Sequence, residues 1–61
     1  MKTKTAQEAL VALRELIDAG YIVECSMLVK QYQITVYDIA HHHHLDDTLV
    51  GAIMKAHKAS I

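Results

Sequence analysis

The chain has no proline, no phenylalanine and no tryptophan, only two glycines and one cysteine. A lone Cys25 rules out an internal disulfide. Without Phe or Trp, the core has to come from Leu, Ile, Val, Ala and Met, with three tyrosines at its margins. The scarcity of proline and glycine favours helices joined by short turns. No apolar stretch approaches the ~20 residues of a transmembrane helix. The polar opening from Met1 to Thr5 lacks the apolar run of a signal peptide, so a cytoplasmic protein is expected. An excess of positive charge is absent as well. The net charge of −1 speaks against a strong nucleic-acid binder, whose domain is usually basic. Lys2, Lys4, Lys55 and Lys58 nevertheless sit near the chain ends, with Asp38, Asp46 and Asp47 between them, which leaves room for a local basic patch.

What is present is a short, apolar-rich chain: 61 residues, 52% hydrophobic. That length makes one domain, spanning 1–61. A chain of about 60 residues buries only ~60% of its unfolded surface, so its core is marginal without help. With no disulfide available, a homodimer is expected.

Thr5 and Glu8 have capping-box spacing, and Ala9, Leu10, Leu13, Leu16 and Ile17 follow at helical intervals. Gly20 is a C-terminal stop able to take positive φ, with Tyr21 folding back on the last turn. The first helix is expected at about Ala6 to Ala19. Tyr21 to Glu24 suits a short strand, yet Val23, Met27, Leu28, Val29 and Tyr32 also make a helical stripe. With no convincing partner strand, a second helix over about Val23 to Gln31 is preferred. Ile34 to Tyr37 carries the same ambiguity. Thr35 and Asp38 stand three apart, as an N-cap and an acidic first-turn residue do, which points to a third helix from about Val36 to His43. Asp46 then caps a fourth helix running to about Ala59. The expected fold is all-α, a small four-helix domain.

Within it, Ala40 after Ile39 places a small residue in the middle of a helix. Leu45 follows the turn, and Val50 and Ile53 lie five and eight residues beyond it. The segment Val36 to Ile53 therefore resembles the helix-turn-helix of small phage and bacterial transcription regulators, over about a third of the chain. Two features depart from that pattern. His44 stands where a turn glycine is common, and Asp46 and Asp47 open the recognition helix, where carboxylates repel phosphate. The resemblance implies a C-terminal helix-turn-helix at about 35–59 and regulatory DNA binding as a dimer. The presented residues would be Asp47, Thr48, Gly51, Ala52, Lys55 and Lys58, with Ala40 buried against the fourth helix. The alternative partner is another protein, gripped by the same fold acting as an inhibitor or adaptor without DNA binding. Gly51 and Ala52 also suit close packing of a neighbouring helix, and the apolar stripe of Leu49, Val50, Ile53 and Met54 suits core packing, a dimer seam or a partner groove.

The run His41 to His44 invites a metal reading, with His41 and His44 on one helix face and His57 approaching in space. A solvated helix end or a pH-sensitive element accounts for the same residues. No acidic or cysteine ligand stands at matching spacing, so no metal or other cofactor is expected. Cys25 has no context that would lower its pKa and reads as a buried or half-buried thiol. No phosphate loop or nucleophile elbow appears, and an enzyme is not expected.

Overall fold

The computed structural model describes residues 6–61. Among them are helix α1 (Ala6–Asp18), strands β1 (Ile22–Met27), β2 (Tyr32–Tyr37) and β3 (His41–Asp46), and helix α2 (Leu49–Ser60). The strands form one antiparallel sheet in the order β1-β2-β3. The fold is therefore mixed α and β, which overturns the all-α, four-helix expectation and the helix-turn-helix built on it. The expected second helix is β1 and the hairpin after it; the expected third is the end of β2, a turn and β3.

The first helix agrees with its sequence signals to within a residue. Gly20 has φ +96°. Its N–H donates to the Ile17 carbonyl while the Tyr21 N–H donates to that of Leu16, the paired bonds of a Schellman stop. Thr5, the proposed capping residue, lies outside the described residues.

Both hairpin turns are built without glycine. Leu28 N–H donates to the Gln31 carbonyl at 2.7 Å across the first. In the second, Asp38 N–H donates to the Ala40 carbonyl and the Ala40 N–H to Asp38 Oδ1 at 2.8 Å. Ala40, expected to be buried, is exposed in this turn. Before α2, Thr48 is the N-cap in place of Asp46, and its Oγ1 accepts from the Gly51 N–H at 2.9 Å. Asp46 instead braces the cap, with Oδ2 accepting from the Thr48 N–H and hydroxyl, each at 3.0 Å.

Side chains alternate across a strand, so each sheet face takes every second residue. Both helices pack on one face, α2 over β2 and β3, α1 against α2 and over β1. Ile34 and Val36 of β2 meet Ala9, Ala12 and Leu16 of α1 and Ala52, Ile53 and Ala56 of α2 in a single core. Half of these eight residues are alanines, which lets the layers approach closely but buries little apolar surface. Among the described residues, eleven large hydrophobic side chains remain exposed, more than the core holds.

Candidate binding surface

Among the described residues, no helix lies on the other face of the sheet. The strand register sets its side chains in rows across the three strands: Ile22, Tyr37 and His41; then Glu24, Thr35 and His43; then Ser26, Gln33 and Leu45. Thr35, at the centre, is only 3% exposed although no element covers this face. Its neighbours enclose it. Gln33 Nε2 donates to Thr35 Oγ1 at 3.1 Å, and Thr35 Oγ1 lies 3.0 Å from His43 Nδ1. A Thr35 hydroxyl that accepts from Gln33 donates onward to Nδ1, which leaves His43 with its proton on the outward Nε2. Gln33 Nε2 is also 3.2 Å from that Nδ1.

Tyr37 occupies the adjoining row. Its hydroxyl donates to Glu24 Oε1, and that bond raises the phenol's pKa, with smaller contributions from burial and from the Glu24 charge. The ring meets His41 edge-on, with centroids 4.5 Å apart. Ile22 and Leu45, 68% and 40% exposed, stand at diagonal corners. The face thus offers held aromatic and imidazole edges, two apolar corners and one carboxylate. None of its nine positions is Lys or Arg.

The sequence-predicted positions lie elsewhere, around α2. Asp47 is exposed between β3 and α2, and Thr48 caps the helix. Gly51 packs so tightly that a Cβ there would stand 2.0 Å from Asp46 Oδ2. Ala52 is fully buried. Lys55 Nζ is held 3.0 Å from Asp46 Oδ1 and 2.8 Å from the Leu45 carbonyl. Lys58 is exposed in the last turn. Thr48, Gly51 and Lys55 are therefore brought together, around Asp46, while Ala52 faces the core. Asp46 is held below the usual carboxylate range, first by the Thr48 N–H and then by Lys55 and the Thr48 hydroxyl.

The four histidines alternate across β3. His41 and His43 lie on the bare face; His42 and His44 lie on the helix side. The pairing of His41 with His44 as metal ligands fails for this reason: residues three apart on a strand point to opposite faces. Among the described residues, no three His, Cys, Asp or Glu side chains group as a metal site. His42 Nε2 is 3.3 Å from Asp38 Oδ1. Asp38 is held below its ordinary pKa, chiefly by the Ala40 N–H. His44 Nε2 is buried without a hydrogen-bond partner among the described residues, beside a cleft of about 200 Å³ reached also by Tyr21, Asp38, His42 and Ser60. Burial lowers the His44 pKa, and repulsion from His42 and His43 adds to it.

A second groove, of about 350 Å³, runs between the helices past Val11 and Met54 to Glu15 and His57, whose Oε1 and Nε2 are 2.6 Å apart. Cys25, expected to be buried or half-buried, is an exposed free thiol. No helix among the described residues is long and apolar enough to cross a membrane. Comparisons with protein-family models, curated proteins and solved structures return no match for this chain.

The sequence pattern points to Glu24 and Tyr37 as helix residues, to Thr35 as a helix cap and to His43 as one of a histidine run, so it does not bring the four together on one face. Alternation along Gln33, Thr35 and Tyr37 was the available signal: read with period two, it sets three polar-edged residues on the side opposite Ile34 and Val36.

Proposed function

We propose that this protein is a small protein-binding module whose contact surface is the bare face of its sheet. The observation that carries this reading is the enclosed Thr35 with its bonds to Gln33 and His43. Order of this kind on a face without a covering element lowers the entropy lost when a partner docks. Tyr37 supplies a rigid, amphipathic ring on the middle strand, and Ile22 and Leu45 supply apolar corners, a composition suited to protein contacts.

Electrostatics favour a protein over nucleic acid. A duplex or single strand is held mainly through Lys and Arg on phosphates, and this face has neither. Elsewhere, Lys55 is paired with Asp46, and Arg14 lies 3.6 Å from Asp18. Glu24 is the only formal charge on the face, so the matching patch on a partner carries a cation or several N–H donors beside an apolar surface. The role is that of an adaptor or inhibitor, the second of the two readings the sequence left open.

The discriminating experiment is fluorescence anisotropy with random duplex and single-stranded DNA at two salt concentrations. The proposal expects no binding at low micromolar protein in either salt. Binding to either DNA that weakens steeply with salt would overturn it.

A further inference from the structure

The roof over the sheet is uneven. On the helix side, Ile34 and Val36 of β2 are 1% and 0% exposed, whereas Cys25 and Met27 of β1 are open to solvent, Met27 at 77%. Helix α1 leaves apolar surface beside them. At 100° per residue, Leu10, Leu13 and Ile17 lie on the flank turned away from Glu15, the residue that reaches α2. Leu10 and Ile17 are 66% and 56% exposed. Because α2 lies over β2 and β3 and α1 over β1, that flank stands at the outer edge of the sheet.

The two outer strands differ in how their edges are protected. Along β3, Lys55 donates to the Leu45 carbonyl and the strand carries four imidazoles and a carboxylate. Strand β1 reads Ile-Val-Glu-Cys-Ser-Met, with no proline or lysine, and its one charge is engaged by Tyr37. An unguarded edge of this kind pairs readily with another strand.

We infer that β1 and the adjoining flank of α1 form a homodimer interface, in which two copies join their sheets edge to edge about a two-fold axis. Strand chemistry selects the register. Directly paired residues must share a face, so the axis passes through a residue and not between two. Centring on Glu24 would set like charges opposite each other, which is destabilising. Centring on Cys25 keeps five pairs, with Val23 opposite Met27, Glu24 opposite Ser26, and Cys25 opposite its own copy. The same axis brings the two α1 flanks together above Cys25 and Met27. The bare faces then join into one six-stranded surface, and neither is covered. This inference does not depend on the function proposed for that face.

The test uses the intact chain. Opposed Cys25 residues lie about 4.5–5.5 Å apart at Cα, whichever type of antiparallel pair they occupy. A short bis-maleimide should therefore join two copies through Cys25 at micromolar protein. Sedimentation should show the dimer at 100 µM, and Cys25→Lys and Leu10→Lys should each weaken it at least 100-fold. Both sites are exposed, so circular dichroism should match the wild type. Tyr37→Ala, on the bare face, should leave the dimer intact, which separates this inference from the functional proposal. A monomer at 100 µM overturns the interface, as does a dimer that yields no Cys25 crosslink or that is indifferent to both lysines.

Discussion

Ala40 and Ala52 give a paired test of the fold. A four-helix arrangement buries Ala40 against the last helix; the observed fold exposes it in a three-residue turn and buries Ala52 completely. In Ala40→Glu the new carboxylate stands in water. Its backbone N–H keeps its bond to Asp38, so the change should cost no more than about 0.5 kcal/mol. In Ala52→Glu the carboxylate is forced among Leu16, Ile34 and Val36 with no partner, at a cost of several kcal/mol. A domain of this size rarely holds more than ~3–5 kcal/mol, so the second variant should be unfolded at room temperature. One kcal/mol moves the midpoint of such a domain by roughly 4–8 °C. Thermal melts followed at 222 nm should thus place Ala40→Glu within about 4 °C of the wild type. Unfolding of Ala40→Glu, or a normal melt for Ala52→Glu, would refute the packing described.

Other predictions follow from single residues. Gly20→Ala should cost about 1–2 kcal/mol in urea melts, because φ +96° strains a side chain even though a Cβ there meets no neighbour. Thr48→Ala should cost about 1 kcal/mol through loss of the α2 cap, and Thr48→Asp should recover most of it. His44 has a folded pKa below its unfolded value near 6.5, so the unfolded chain binds more protons in that range. Its stabilising contribution is complete above about pH 6.5 and is lost as pH falls through the lowered folded value. Melting temperature should therefore rise from pH 5 to 7.5, and His44→Leu should flatten that rise. Asp46 acts at lower pH. Its lowered pKa stabilises the fold above about pH 4 and ceases to do so as acid protonates the folded carboxylate, so Asp46→Asn should show a shallower acid loss below pH 4.

The helices were legible in the sequence and the sheet was not, for physical reasons. Helix α1 announces itself through apolar spacing and a glycine stop, and the Schellman bonds at Gly20 and Tyr21 are those its sequence implies. Helix α2 was placed correctly for most of its length, although the capping role fell to Thr48 and not to the neighbouring Asp46. The hairpins lack the usual punctuation. Leu28 to Gln31 and Asp38 to Ala40 contain no Gly, Pro or Asn, and no non-glycine residue among those described takes positive φ. Val23, Met27 and Tyr32 also fit a helical period, and only pairing across strands decides the matter in favour of the sheet. Asp38 shows the ambiguity in one residue. An acidic side chain near backbone N–H groups reads as a helix start, but the same chemistry closes a turn, and here it accepts from Ala40. Once β2 and β3 replace a helix, the histidine run divides between two faces and the surface around Thr35 takes shape.

Photocrosslinking in cells tests the bare face most directly. A benzophenone side chain placed at Tyr37 should yield a defined adduct with another protein, while the same group at Arg14 or Lys58, on the exposed helix surfaces, should yield none. His43→Ala combined with the Tyr37 probe should reduce the adduct, because the imidazole that helps to enclose Thr35 is gone. Adducts formed equally from all three positions, or only from the helices, would contradict the assignment of the sheet face as the contact surface.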